Sequence, residues 1–540
     1  MSRLVLAVAR TVTASVRLLD ILEVFHSDFR IRVVFVIDAR SQFSDGVAEL
    51  LQAAGARVIT YSELPSLDID LVITTSSTAE VGPGNTPVLV VPHGVGYHKY
   101  LLDGPAGAPR LSGVVSATAA RRRRIIQVLT AESQRGLLAA HRPEVTRRAA
   151  VVRDPFLDRL RASRQLREQY RRNLGIGGRQ LVVMTSTWGE QSLFARWQRL
   201  PAQLLRQLPA DDYAVAAILH PNVWYGNGPW QVRTWLADAR DAGLILIPPT
   251  EGWQAALVSA DTVIGDHGSV TFYAAALGLP LLLGTFGSEV VPGTAMAELG
   301  DVAPRLDWEA PLRPQIEQVA TIHQPDSYAT TTGLAFGNDD APKPSLRTLI
   351  YQTLKLSEPD GAPAVRAWPP PVVTQTEVTA HAIYSETTPD GTVWLSRFPA
   401  AVGDAAREPA DSGKLRHLGV YAEELDLGRR QSASTMTYRD VETEPTSADE
   451  AVAWIAQHPQ EQRLIAVQTS AGLWVQIRHR GLVLGSASHP VEPMLITAVV
   501  YHLLRNGQLP KIGSPTVSAR VGVGARTFDV TVTMVRPDPK

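Results

Sequence analysis

Short apolar runs alternate with helix-period segments along the first hundred residues, the order that a parallel sheet with crossover helices requires. Strands are predicted at Leu4–Ala9, Arg32–Asp38, Arg57–Tyr61, Leu71–Thr75 and Pro87–Val91, and helices at Thr11–Phe25 and Ser44–Ala54, the latter ended by Gly55. Ala150–Pro155 reads as a short strand closing in a turn, followed by a charged helix over Phe156–Asn173. A second alternating series follows. Its strands are Leu181–Thr185, Tyr213–Leu219, Leu244–Ile247, Thr262–Ile264 and Pro280–Leu283. Its helices are Trp197–Gln207, Gln231–Ala242, Trp253–Ser259 and Val270–Gly278.

The pattern changes after the proline-rich stretch Gly361–Val373, GAPAVRAWPPPVV, which should be extended and semi-rigid. Beyond it, strand-like runs at Val378–Ser385, Thr392–Phe398, Leu464–Thr469, Leu473–His479 and Phe528–Met534 mix with helix patterns at Ala448–Gln457 and Pro493–Asn506. The predicted fold class is α/β: two Rossmann-like domains, at 1–155 and 156–360, a linker at 361–373 and an α+β accessory domain at 374–540. The accessory domain carries no recognisable catalytic motif. Periodicity alone leaves open whether Pro493–Asn506 packs on its own sheet or on another subunit.

Composition narrows the chemistry. The 540 residues contain no cysteine, which excludes disulfides, thiolate metal sites and a cysteine nucleophile. Catalysis would have to run on histidine, carboxylate, hydroxyl or backbone groups. With 52 basic and 53 acidic side chains the net charge is −1, which argues against a surface built to coat nucleic acid, and no nucleic-acid partner is expected. Arg10, Arg17 and Asp20 interrupt the first apolar run before it could serve as an export core or span a bilayer, so a cytoplasmic location is the default expectation. The turn after the first strand, Arg10-Thr11-Val12-Thr13, lacks the glycines of a dinucleotide fingerprint, and no Walker A loop is present.

Three segments could carry chemistry. In LVVPHGVGYHKY, Leu89–Tyr100, a strand runs into Pro92-His93-Gly94. Ligand crevices of open α/β sheets lie at strand C-termini, so His93 would stand at the cleft mouth as a general base, with Gly94 opening the backbone to substrate. The alternative is a histidine that caps a turn. In AAILHPNVWY a second strand ends on His220, fixed by Pro221, where an imidazolium could neutralise a leaving phosphate; packing is the alternative. In ADTVIGDHGSVTFYAAALGLP, the turn Gly265-Asp266-His267-Gly268-Ser269 opens a helix whose free N–H groups, with the Ser269 hydroxyl, suit an anion. An ordinary capped helix, with Asp266 or Ser269 satisfying the orphan donors, is the alternative.

Tandem Rossmann-like domains with these segments in this order resemble GT-B glycosyltransferases, and more narrowly the CDP-glycerol glycerophosphotransferases of wall teichoic acid synthesis. That family shows HGT, G-x-P-R-x-D, L-H-P and S-D-Y-S-S segments in turn. This chain has His93-Gly94-Val95, Arg153-Asp154-Pro155-Phe156-Leu157-Asp158, Leu219-His220-Pro221 and Gly265-Asp266-His267-Gly268-Ser269. The Thr185-Ser186-Thr187-Trp188 stretch also suits the family's loop after the first strand of the second domain. Val95 replaces the family's threonine, Phe156 its arginine, and His267-Gly268 its Tyr-Ser pair.

The resemblance implies His93 as the base for an acceptor hydroxyl and His220 as the group stabilising the departing nucleotide phosphate. It implies Gly94, Thr187, Pro221, Asp266, His267, Gly268 and Ser269 as the nucleotide and phosphate site. The implied activity is transfer of a glycerophosphate or sugar unit from a nucleotide-linked donor to a hydroxyl acceptor. Similar HP and serine motifs in sialyltransferase-like enzymes make a cytidine nucleotide, CDP or CMP, the common denominator. No cofactor and no tightly held metal are expected, since no carboxylate pair follows a strand at the cleft. The Arg121-Arg122-Arg123-Arg124 run could face an anionic polymer, a lipid-linked acceptor or the inner face of a membrane, or be a solvated helix face. Alternatives are a non-catalytic GT-B-like scaffold whose C-terminal domain recruits a partner, and a nucleotide-sugar epimerase of the same architecture.

Overall fold

The computed structural model describes residues 2–41, 43–79, 85–102, 109–122, 124–337, 343–361, 365–403, 414–439, 441–458, 462–511 and 514–537. The first domain is built on the strands β1 (Arg3–Ala9), β2 (Ile31–Ile37), β3 (Val58–Ile59), β4 (Leu71–Thr74) and β5 (Val88–Val90). A short hairpin, β6 (Tyr100–Leu102) and β7 (Pro109–Leu111), precedes β8 (Ile125–Leu129) and β9 (Ala150–Val151). Seven of these strands form one parallel sheet in the order β3-β2-β1-β4-β5-β8-β9. β8 was not expected: its apolar run Ile125–Leu129 follows directly on four arginines, whose charge masks the strand pattern.

The second domain carries β10 (Gln180–Ser186), β11 (Tyr213–Leu219), β12 (Ile245–Leu246), β13 (Thr262–Gly265) and β14 (Leu281–Leu283), all parallel, in the order β12-β11-β10-β13-β14. β11 is buried at every position, as a strand covered by helices on both faces must be. Strand order reverses between β1 and β4 in one sheet and between β10 and β13 in the other. The loops leaving these strands open two switch-point crevices toward each other. The helix Leu346–Leu354 returns from the second domain and buries Leu346, Ile350, Tyr351 and Leu354 in the core of the first. Two Rossmann-like sheets facing across a cleft, tied by a returning helix, make the GT-B arrangement.

The third domain is α+β, and among its described residues nine strands, between Ala380 and Pro537, close into a barrel. Helix Pro493–Arg505 runs against seven of them and buries every side chain from Met494 to Leu504. It therefore packs within its own barrel. The strap that leads into the barrel is tied down: Trp368 is buried against Phe156, its backbone N–H donates to Ser163 Oγ at 3.0 Å, and the Arg159 guanidinium lies 3.6 Å over its ring. Residues 362–364 of the expected linker lie outside the described residues. Arg397 of the barrel pairs with Asp211 of the second domain through two bonds of 2.9 and 2.8 Å and with Glu492 at 2.6 Å. Asp211 lies at the N-terminal end of β11, so the barrel docks on the end of the sheet opposite the cleft.

Candidate functional site

A cavity of about 410 Å³ occupies the cleft. Its first-domain wall comes from the loops after β1 and β4, including Arg10, Thr11 and Ser76, from His93 after β5, and from Lys99. Its second-domain wall comes from Thr185–Gly189 at and after the end of β10, from His220–Asn222 after β11, and from Gly268–Val270 after β13. The site is thus the set of strand C-termini that each sheet presents at its switch point.

His93 and His220 line the same cavity, and the backbone fixes them in opposite tautomers. His93 Nδ1–H donates to the Thr75 carbonyl at 2.9 Å, which leaves the Nε2 lone pair to act as a base. His220 Nδ1 instead accepts the Asn222 N–H at 3.1 Å, capping helix Pro221–Asn227, so its proton stands on Nε2. Desolvation by the cleft walls holds His93 below the usual histidine range, and the nearby Arg17 charge works in the same direction. Desolvation also pushes His220 down to about 3, with His93 and Lys99 adding repulsion. The expected imidazolium at His220 is therefore corrected. A ring that accepts at Nδ1 and is desolvated stays neutral, and it offers an N–H rather than a charge.

The turn before helix Ser269–Ala276 divides into cavity wall and scaffold. Gly268 and Ser269 line the cavity with Val270, no side chain caps the helix, and the N–H groups of its first turn have no acceptor within it. Thr187 and Pro221 also line the cavity. Asp266 and His267 do not. Asp266 is fully buried, and its carboxylate accepts the N–H groups of Thr187, Leu193 and Gly268 and the Ser186 hydroxyl, at 2.9–3.3 Å. All of its capacity goes to tying the loop after β10 to the turn after β13, so the expected donor contact is replaced by a structural one. His267 is equally buried, accepts the Gly287 N–H at Nδ1 and donates from Nε2 to Glu289 at 2.7 Å. Gly94 serves packing rather than substrate access: it lies against Ser269, whose hydroxyl accepts the Val95 N–H at 3.2 Å across the cleft.

Several wall residues were missed by the sequence reading. Lys99 reaches Glu289 at 3.1 Å and Thr187 Oγ1 at 3.2 Å. The turn that carries it there contains Gly96 and Tyr97, both with positive φ, and Tyr97 is pinned by its hydroxyl donating to the Val128 carbonyl. Arg17 is buried beside Asp154 at 2.8 Å, lies 4.3 Å over the Phe156 ring, and shares Asp154 with the Tyr273 hydroxyl. This cluster joins the first helix of one domain to two helices of the other. Asp20, one turn beyond Arg17, lines the cavity, and desolvation raises its carboxyl to about 7. Trp188 stands edge-on to Phe43 at 5.0 Å across the mouth. Each of these relationships joins residues far apart in sequence, so local pattern carries no signal for them.

Of the arginine run, Arg123 and the Arg122 side chain lie outside the described residues, Arg124 is exposed, and Arg121 faces Glu144 at 3.8 Å. Arg142 and Arg148, nearby, hydrogen-bond the carbonyls of Val115 and Ala120. Among the described residues no helix is long and apolar enough to cross a membrane, and no group of three His, Asp or Glu side chains could hold a metal ion.

No family model and no curated protein matches the sequence. Among solved structures the chain is similar to a variant of the wall teichoic acid polymerase TagF, at 12% identity over 66% of this chain and 89% of that one, with a TM-score of 0.44. It is similar to UDP-GlcNAc 2-epimerase from Neisseria meningitidis bound to UDP-GlcNAc, at 14% identity over 65% and 99%, with a TM-score of 0.39. It is also similar to a glycosyltransferase from Rickettsia africae ESF-5, at 11% identity over 66% and 97%, with a TM-score of 0.37.

Proposed function

We propose that the protein is a GT-B transferase that moves a glycerophosphate or sugar unit from a nucleotide-linked donor, CDP- or CMP-linked, to a hydroxyl acceptor. The observation that carries this reading is the opposed tautomers of His93 and His220 on one cavity. Nε2 of His93 takes the acceptor proton as the hydroxyl oxygen forms its new bond to the transferred group. The bond from that group to the nucleotide phosphate breaks. The departing phosphate oxygen meets the Nε2–H of His220 and the N–H groups that open helix Ser269–Ala276, donors already in place that need no reorganisation. Gly268 and Thr187 shape this phosphate site, and the Trp188 and Phe43 rings offer faces to the donor or acceptor.

A thermal-shift screen with CDP, CMP, UDP and GDP tests the reading, because a ligand that binds the native state raises stability by RT ln(1 + [L]/Kd). A rise with a cytidine nucleotide is expected, and so is loss of transfer in His93→Ala and His220→Ala. No rise with any of the four overturns it. Asp20 favours one second reading, an epimerase, since a carboxyl that titrates near neutrality can exchange a proton with a sugar carbon. Inversion of a nucleotide sugar without an acceptor would identify that activity.

A further inference from the structure

The cavity wall presents three cations, Arg10, Arg17 and Lys99, and each has a carboxylate partner. Arg10 is turned to Asp38 at 2.5 Å, on the first-domain side. Arg17 is clamped by Asp154 and stacked on Phe156. Lys99 alone reaches the second-domain loops that form the anion site. Its ammonium donates to Thr187 Oγ1, and Thr187 in turn packs against Gly268, where a Cβ would lie 3.2 Å from Thr187 Cβ. Because His220 is a neutral donor, it leaves the negative charge of a phosphate uncompensated.

The backbone holds Lys99 in place from both domains. Val291 N–H donates to the His98 carbonyl at 2.9 Å and Tyr100 N–H to the Glu289 carbonyl at 3.2 Å, an antiparallel bridge centred on Lys99 and Val290. Glu289 is itself oriented by the Nε2–H of His267, whose other nitrogen is occupied by the Gly287 N–H. That bond, with the Lys99 charge, keeps the Glu289 carboxyl at about 2, so it stays ionised. An ammonium has three N–H donors, and Glu289 and Thr187 take two. The third belongs to a side chain on the cavity wall.

We infer that Lys99 is the phosphate-binding cation of the cleft, that it engages the diphosphate of a nucleotide-linked ligand with its third N–H, and that Glu289 and His267 are positioning residues that hold it there. This rests on the proposed nucleotide reading for its ligand, but its charge chemistry can be tested without any base.

The test is calorimetric titration of the full chain and of Lys99→Met and Lys99→Arg with CDP, UDP and GDP, with the matching nucleosides, and with inorganic pyrophosphate. Thermal unfolding checks that each variant is folded. Wild type should bind a diphosphate more tightly than its nucleoside. Lys99→Met should weaken diphosphate and pyrophosphate binding by about 10- to 100-fold, as loss of a charged hydrogen bond does, and leave the nucleoside unchanged. Lys99→Arg should recover part of the loss. Equal weakening of nucleoside and diphosphate would assign Lys99 a purely structural role and overturn the inference, as would unchanged diphosphate affinity. Pyrophosphate binding that depends on Lys99, with no preference for any nucleotide, would support Lys99 while removing the nucleotide reading. Absence of binding by wild type to every probe overturns both.

Discussion

Gly94 and Ser269 approach so closely across the cleft that a Cβ on Gly94 would lie 2.4 Å from Ser269 Oγ and 3.0 Å from Ser269 Cβ. One residue belongs to the first domain and the other opens a helix of the second, so this contact joins the two walls of the cleft. Gly94→Ala is expected to displace Ser269, and the facing wall with it, and to break the bond from Val95 N–H to Ser269 Oγ. Diphosphate affinity is expected to fall at least tenfold, with global stability changed by less than about 2 kcal/mol. Ser269→Gly removes both colliding atoms. If that displacement is the cause, Gly94→Ala in the Ser269→Gly background should cost far less than alone, and a double-mutant cycle of titration affinities measures that coupling.

The His93 tautomer makes a pH prediction. The base must be neutral to accept a proton, and desolvation at the cleft wall holds its pKa below the ordinary value of 6.5. Transfer measured as kcat/KM should therefore be flat above pH 6.5 and fall on acidification through the depressed pKa. His93→Ala should lower kcat/KM by about 10²- to 10⁴-fold and remove that acid limb. His220→Ala should lower the rate but leave the limb in place, because His220, at about 3, is already neutral throughout this range. An acid limb centred at or above 6.5, or one that survives in His93→Ala, would count against His93 as the base.

Asp266 should matter to stability rather than to binding. Asp266→Ala strips the acceptor from the N–H groups of Thr187, Leu193 and Gly268, each in a buried bond. At about 1–3 kcal/mol for each buried donor left unpaired, the loss should reach at least about 3 kcal/mol, read by urea denaturation. Asp266→Asn retains one accepting oxygen and should lose less. A variant of wild-type stability that fails only to bind nucleotide would restore Asp266 to the ligand site.

These corrections mark where sequence pattern stops being informative. The alternation of apolar runs located β1, β2, β4 and β5 and every strand of the second sheet, because strands buried on both faces must be continuously apolar. The same logic put His93 and His220 at strand ends on the cleft. Identity at a turn did not reveal direction: Asp266 and Ser269 are three residues apart, yet the carboxylate of Asp266 is spent inside the scaffold while Ser269 lines the cavity and accepts the Val95 N–H across the cleft. Lys99 was visible in the same run as His93, but its partner Glu289 lies in a loop with no motif. Arg17 and Asp154 meet only after both domains have folded. The barrel was legible as mixed strands and helices, while its closure depends on strand pairings such as Val393 with Val521 that no local pattern encodes.

The barrel yields a last prediction, on acid stability. His417 is buried, stacks on Tyr501 with ring centroids 4.3 Å apart, and has no hydrogen-bond partner at either ring nitrogen among the described residues. Desolvation, with repulsion from Arg416 and His502, lowers it to about 3, and desolvation lowers His381 to about 4. A histidine that is neutral when folded but titrates at about 6.5 when unfolded binds more protons in the unfolded state between those values. Its contribution is complete above pH 6.5 and is lost as pH falls toward the folded pKa, with a limiting slope of about 1.4 kcal/mol per pH unit for each such histidine. His417→Phe keeps the ring stack and removes the two unpartnered nitrogens. Its unfolding free energy should match or exceed that of wild type at pH 7, and the gap should widen steadily toward pH 4. Urea unfolding at pH 7, 6, 5 and 4 measures the gap, and a constant difference across the series would mean that His417 titrates in the folded barrel as it does in the unfolded chain.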